Sequence, residues 1–396
     1  MIVLSVVAAL VALVLLVPAL SDLCSLVVVA SGRARQRTAA LSQSTPRLLF
    51  LVPAHDEELL VRSCVQSLQQ MRYPSDHYDA VVIADNCTDR TAEIVREIGG
   101  RCLERFDPAL RGKPRAIAWA LEQLPMNSYD AMVLIDADAV VDSGFAAGLA
   151  EIDQLRTKAA QPFNDVRNPN ETSVTRMAAV LAGGMYRGAF VLKRRAGLNV
   201  PLGCGMCVGA DILAKHGWTT FSLSEDWEFY ASMAAEGVTI EFAPESHLYA
   251  QEAKSLNQSG SQRQRWLAGT FLTLFRRGPD ILRSRQAGFR QKLDAFSELS
   301  ATGPAVHLGI VSLVGLALVL LDAPAAIPIA TALALSLMRP VGYAVVGLTH
   351  DPEPLGALRA FAYLPIYTLW RLLAFVGTIR MLGDKPWVRT ARHEQQ

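Results

Sequence analysis

Asp136 and Asp138 close the apolar run YDAMVLIDAD, Tyr129–Asp138. Carboxylates spaced i, i+2 leave a strand on the same side, within reach of one hard cation. Mg2+ or Mn2+ held this way keeps open positions for phosphate oxygens. Two further apolar runs end in polar groups. RLLFLVPAH leads into His55-Asp56-Glu57, and YDAVVIADN delivers Asp85-Asn86. One acid at a strand end caps the next helix as readily as it binds a ligand. Three strands delivering acid to one edge are harder to explain by capping. Lys113, in RGKPRA, is either a solvated lysine or a point charge that meets a phosphate beside a helix start. No Gly-x-x-x-x-Gly-Lys-Ser/Thr loop accompanies it, which disfavours a P-loop ATPase.

These residues need a scaffold that brings strand ends together. EELLVRSCVQSLQQM, Glu57–Met71, carries apolar residues at helical spacing, Thr88 is placed to cap DRTAEIVREIG, and GKPRAIAWALEQL is a third helix. Strands without alternation, each followed by a helix, predict an α/β fold with a mostly parallel sheet covered on both faces. Ligands of such sheets bind beyond the carboxyl ends of the strands.

Composition places the rest of the chain elsewhere. Of 396 residues 51% are hydrophobic and 19% charged, against about 25% charged in ordinary soluble domains, so part of the chain is expected in lipid. The net charge of +1 argues against a nucleic-acid partner. Six cysteines are too few for a disulfide framework and suit a reducing compartment. Cys204-Gly-Met-Cys207 is half of a zinc-site spacing with no second pair, and packing explains it as well.

Met1–Leu20 is uncharged and long enough to cross a ~30 Å hydrocarbon core. Asp22 interrupts before the apolar sequence resumes to Ala30, and Arg33, Arg35 and Arg37 predict a cytoplasmic flank. The basic n-region of a signal peptide is missing, which favours an uncleaved anchor. Ala305–Leu321 and Ala325–Val346, parted by Asp322 and Pro324, read as a transmembrane hairpin. Phe361–Ile379 contains Pro365 and Arg371 and either spans, leaving the basic tail KPWVRTARHE outside, or lies in the headgroup plane with its arginines snorkelling; the in-plane reading, which returns that tail to the cytoplasm, is favoured. The predicted organisation is therefore an anchor at 1–30, a basic linker at 31–46, an α/β domain at 47–275, a basic interfacial segment at 276–300, the hairpin at 301–347, and a third hydrophobic segment with the tail at 348–396.

The ordered series VPAHDEE, ADNCTDRT, GKPRA, DAD, GCGMC, SEDWEFYASMAAEG and QRQRW resembles the membrane-integrated, inverting branch of the family 2 glycosyltransferases. That branch includes cellulose, hyaluronan, chitin-oligosaccharide and poly-N-acetylglucosamine synthases and lipid glucosyltransferases. The likeness covers roughly 47–275. It implies a GT-A fold, a Rossmann-type sheet with helices on both faces, joined to transmembrane and interfacial helices. By this resemblance Glu57 and Asp85 hold the uridine of a UDP-sugar, Lys113 lies near the nucleotide-sugar, and Asp136 with Asp138 serves Mg2+ or Mn2+ and the diphosphate. Asp226 matches the general base. Gly203, Cys204 and Gly205 match the loop lining the acceptor sugar, and Gln262, Arg265 and Trp266 the Gln-x-x-Arg-Trp signature near acceptor and diphosphate. His55-Asp56 replaces the usual aromatic residue and Asn, and Cys204 replaces a common hydroxyl residue.

The chemistry fits those roles. Transfer from UDP needs positive charge where the leaving diphosphate gains negative charge. It also needs one carboxylate to deprotonate the attacking alcohol. Hydrolysis would want two carboxylates flanking the bond. Glu225 adjoins Asp226, but helical neighbours point about 100° apart and are not expected to share a site. Trp266 offers a flat face for a sugar ring and Arg265 a fork for a diphosphate; a membrane-surface anchor is the competing reading. The expectation is a membrane enzyme of the inner or plasma membrane with a cytoplasmic catalytic domain. It would move a hexose or N-acetylhexosamine from a UDP-sugar to a lipid-linked or glycan acceptor, forming a β-linkage. Alternatives are a processive β-polysaccharide synthase, with an export or polymer-handling partner protein, and, from other classes, a nucleotidyltransferase or a non-catalytic nucleotide-binding scaffold.

Overall fold

The computed structural model describes residues 2–33, 45–222, 224–322 and 325–379, without the side chains of 257–259, 261, 262 and 379. Arg35 and Arg37 of the basic linker, Pro324 of the hairpin, the basic tail and the Gln262 side chain lie outside the described residues.

In chain order, helix α1 (Ile2–Ala30) is followed by β1 (Leu48–Ala54), α2 (Val61–Gln69), β2 (Tyr78–Asp85), α3 (Thr91–Glu97), β3 (Arg101–Arg105), α4 (Lys113–Gln123) and β4 (Ala131–Leu134). Next come β5 (Val140–Val141), α5 (Phe145–Ala150), β6 (Ala159–Val166), α6 (Ser173–Gly184), α7 (Val191–Ala196), β7 (Cys207–Gly209), α8 (Ala210–His216), α9 (Glu225–Ala235) and β8 (Ile240–Ala250). The remainder is helical: α10 (Leu256–Arg283), α11 (Phe289–Ser300), α12 (Pro304–Leu320), α13 (Ala326–Ser336), α14 (Met338–Thr349), α15 (Pro354–Ala360) and α16 (Leu364–Ile379). Of the described residues, 45–167 and 199–251 form a compact α/β unit, and 2–33, 168–198 and 252–379 a compact helical unit. The boundary runs through the stretch 47–275 that the sequence presents as one domain.

The α/β unit is built on an eight-stranded sheet of order β3-β2-β1-β4-β7-β6-β8-β5. The first four strands are parallel, whereas β7 runs against both β4 and β6, and β5 runs against β8. The sheet is therefore mixed, and its parallel half carries the strands read from sequence. Six of the seven β1 residues are buried, as a strand covered on both faces requires. Val61, Cys64, Val65 and Leu68 line the buried face of α2 at helical spacing and join Leu48, Phe50, Val52 and Phe145 in the core. The chain leaves β1 toward β2 and β3 and returns on β1's other side as β4. That reversal creates the crevice at which open α/β sheets bind ligands.

Two turns after the parallel strands interlock. Asp56 and Asn86 both adopt left-handed backbone, with φ of 53° and 51°, a conformation that short polar side chains tolerate. Thr88 does not cap α3. Its N–H donates to Asp56 Oδ1 at 2.6 Å, and Asp89 takes over the helix start by accepting from the Thr91 N–H at 2.9 Å. The cap moves because Asp56 offers Thr88 a carboxylate from the neighbouring turn.

In the helical unit, Ala8, Ala12 and Leu15 of α1 pack with Leu318, Ile329 and Leu333. Helices α6 and α14 cross backbone to backbone: a Cβ on Gly184 would lie 1.9 Å from the Tyr343 carbonyl oxygen, and one on Gly347 would lie 2.0 Å from that of Val180. A buried ionic network joins four helices. Lys193 of α7 pairs with Asp294, and with Glu298 at 3.1 Å, both on α11. Arg339 of α14 pairs with Glu298, and with Asp22 of α1 at 3.3 Å. The Ser21 hydroxyl donates to Asp294 at 3.0 Å and the Tyr343 hydroxyl to Asp22 at 2.5 Å. Among the described residues three helices, Ile2–Ala30, Ala326–Thr349 and Pro354–Thr378, are long and apolar enough to cross a membrane. All but the last residue of the segment Phe361–Ile379, for which the in-plane reading is favoured, falls within the third. The 17-residue α12, expected as one arm of a hairpin, reaches a spanning length only together with α11 across an 81° bend.

Candidate active site

The predicted site residues of the α/β unit converge where the parallel strands end. Antiparallel pairing brings the start of β7 to the carboxyl end of β4, with Cys207 opposite Val133, so the Gly203–Met206 loop reaches the same edge. Gly205 makes that approach with φ 83°; its N–H donates to the Leu134 carbonyl at 2.8 Å, and a Cβ there would meet Leu248 at 2.2 Å. The Gly203 N–H donates to Gln161 Oε1 at 2.7 Å, and Gln161 Nε2 donates to the Cys204 carbonyl at 2.9 Å. A Cβ on Gly203 would stand 4.0 Å from Asp226 Oδ2, so the loop and Asp226 face each other.

The centre of the cluster is Lys113. Its ammonium lies 2.7 Å from Asp136 Oδ1 and 2.9 Å from Glu225 Oε1, linking the start of α4, the end of β4 and the start of α9. Burial alone would lower its pKa, but Asp136 and Glu225 outweigh it and hold the lysine well above the usual range. Asp226, partly exposed in the first turn of α9, accepts from the Trp227 N–H at 2.8 Å. Its carboxyl is pushed up to about 7, first by loss of water around it and then by the Glu225 charge, against the opposing pull of Lys113. Glu225 and Asp226 thus act on one another, contrary to the expectation drawn from helical geometry. The lysine reaches Glu225 from a different segment and draws it into the cluster.

Asp85 is buried, and its Oδ1 accepts from Arg105 Nη1 at 2.6 Å and from Asn86 Nδ2 at 3.0 Å. His55 Nδ1 donates to the Asp85 carbonyl at 2.7 Å, which fixes the proton on that nitrogen. The Glu57 N–H donates to Thr91 Oγ1 at 2.8 Å. Arg105, Gln161 and Glu225 are the residues here that sequence reasoning did not select. Arg105 could have been suspected only from the β2–β3 register, which sets it opposite Asp85.

Asp136 and Asp138 are both half-buried at the end of β4. Oxygen donors of this kind fit a hard divalent cation, and Asp136 already holds a cationic group in the Lys113 ammonium. Cys64 and Cys204 lie in the field of both carboxylates. Burial, reinforced by those charges, raises both thiols and keeps them protonated; burial also pushes Cys207 up to about 12. Among the described residues, Asp56, Cys87 and Asp89 bring three ligand atoms within 4.8 Å of one another, but Asp56 and Asp89 spend their oxygens on the Thr88, Glu58 and Thr91 N–H groups. That cluster is the clasp between two turns. Arg265 and Trp266 belong to α10 of the helical unit, where Trp266 is 43% exposed and the Arg263 guanidinium sits 5.9 Å from its ring centre.

The mixed α/β sheet with its helices is of the GT-A type. The sequence profile described as "Glycosyltransferase like family 2" matches residues 46–269, and the chain belongs to this family. It is 25% identical over 243 residues to the probable glycosyltransferase YdaM of Bacillus subtilis, covering 57% of this chain and 55% of that protein. It is 26% identical over 237 residues to a beta-monoglucosyldiacylglycerol synthase of Nostoc sp., covering 54% of this chain and 49% of the synthase. The chain thus spans about half the length of the curated relatives it matches. In structure it is similar to a mannosyltransferase of Pyrobaculum calidifontis solved in complex with GDP-Man and Mn2+, with a TM-score of 0.57 at 16% identity, covering 95% of this chain and 98% of that one.

Proposed function

We propose that this chain is a membrane-bound inverting glycosyltransferase that moves a hexose or N-acetylhexosamine from a UDP-sugar to the hydroxyl of a lipid-linked or glycan acceptor, forming a β-linkage. The observation that carries the reading is Asp226, a carboxylate with its pKa raised to about 7 at the carboxyl edge of the sheet, facing the Gly203 loop. A base poised near neutral pH can take a proton from an alcohol as it attacks. One such base, with attack from the side opposite the leaving nucleotide, inverts the anomeric centre. Glu57 and Asp85 would hold the nucleoside, and Lys113 would meet the diphosphate. Asp136 and Asp138 would hold Mg2+ or Mn2+, which would supply positive charge against the leaving group. Gly203, Cys204 and Gly205 would line the acceptor, with Gln262, Arg265 and Trp266 serving acceptor and diphosphate.

Three apolar helices of spanning length and the glycolipid synthase among the relatives favour a lipid acceptor, with the catalytic face on the cytoplasmic side of the basic flank at Arg33. The test incubates membranes containing the chain with Mn2+, diacylglycerol or a lipid extract, and a panel of labelled UDP- and GDP-sugars. The expected result is release of UDP with label in a single-sugar lipid. Release of pyrophosphate would point to a nucleotidyltransferase, and a ladder of long chains to a polysaccharide synthase; either outcome overturns the proposal.

A further inference from the structure

The bridging of Lys113 between Asp136 and Glu225 has a bearing on how the site takes up its cation. The ammonium occupies Asp136 Oδ1 at 2.7 Å, the carboxylate that the proposed function gives to the divalent ion. We propose that Lys113 is a built-in competitor for that ion, tethered by Glu225, so that the enzyme binds divalent cations weakly until the ammonium is displaced from Asp136. The inference rests on the assignment of Asp136 as a cation ligand.

An ammonium and a divalent ion drawn to one carboxylate repel each other at contact distance, and the repulsion persists in a half-buried site where water screens it only in part. When the ion arrives, the lysine must withdraw, and Glu225 at 2.9 Å gives it a partner to keep. Glu225, only 11% exposed at its side chain, is a positioning residue in this scheme. It makes displacement of the lysine easier because the ammonium is never left without a counter-charge. A long lysine stem can pivot between such partners, which a short side chain cannot.

The experiment measures Mn2+ affinity of the purified full chain, with Mn2+ alone as the probe, by the loss of the free-ion electron paramagnetic resonance signal. Lys113→Met is expected to tighten Mn2+ binding by about tenfold or more, the order expected for removing a contacting like charge. Arg115→Gln removes a cation from the same helix that sits over Phe221 instead, and is expected to change affinity less than twofold. Glu225→Gln is expected to weaken Mn2+ binding severalfold alone but to have no further effect in the Lys113→Met background, the non-additivity of residues that act through one another. An unchanged or weakened affinity in Lys113→Met overturns the competitor role, and a Glu225→Gln effect that adds fully to Lys113→Met overturns the tether. Asp136→Asn separates the two layers: if it binds Mn2+ as well as the parent, the ligand assignment itself is wrong. Lys113→Gln serves the same comparison should the methionine variant fail to fold.

Discussion

Glu225 and Asp226 are consecutive residues, yet the first is ion-paired to Lys113 at 2.9 Å while the second is raised to about 7. One carboxylate is paired to an ammonium, and its neighbouring charge raises the other. A pair of adjacent acids has been given two different tasks by what surrounds each.

Replacing Asp226 by Asn removes the proposed base with little change in shape. The rate of transfer is expected to fall by roughly 10²–10⁴, with donor KM changed far less. Initial rates of nucleotide release across donor concentrations check this, and an unchanged kcat would remove Asp226 from the mechanism.

The pH profile follows from the direction of the shift. A carboxylate raised to about 7 is competent above that value and protonated below it, so kcat/KM should decline as pH falls through neutrality. Glu225→Gln removes a charge that raises Asp226, so the acidic limb of the profile should move to lower pH. A limb that stays in place would show that Glu225 does not act on the base.

Gly205 stands at positive φ with no room for a methyl group. Gly205→Ala is expected to destabilise the α/β unit by about 1–3 kcal/mol, as strained backbone positions do. Thermal unfolding checks it, and a melting temperature equal to that of the parent would contradict the geometry.

Lys193 is buried to 1% exposure between Asp294 and Glu298. Lys193→Met leaves a buried carboxylate without its ammonium and should cost about 3–5 kcal/mol. The double variant Lys193→Met, Asp294→Asn should recover part of the loss. Melting curves of the detergent-purified variants would show a double variant at or below the single one if that account is mistaken.

The strand ends were legible because strands buried on both faces write unbroken apolar runs such as Leu48–Val52, and the acids that terminate them stand out against that background. The antiparallel strand β7 was not, since its three residues are too few to show a period. Arg105 depends on which residue of β3 falls opposite Asp85, a non-local register that no short window contains. Glu225 is not legible from the angle between helical neighbours, because the lysine that draws it into the site comes from α4. The segment Asn168–Leu198 groups with the apolar helices through glycine contacts at Gly184 and Gly347 that only the crossing of α6 and α14 reveals.

Asp22 gives the first helix an identity beyond greasiness. Its carboxylate meets Arg339 and Tyr343, and the preceding Ser21 meets Asp294. Grafting an unrelated hydrophobic stretch in place of Ile2–Ala30 would restore attachment to a bilayer but take from Arg339 one of its two carboxylates and from the Tyr343 hydroxyl its acceptor. The leading helix is thus a keyed component of the helical unit, and a chimera carrying a generic tether should assemble poorly unless the Ser21-Asp22 pair is written back into it.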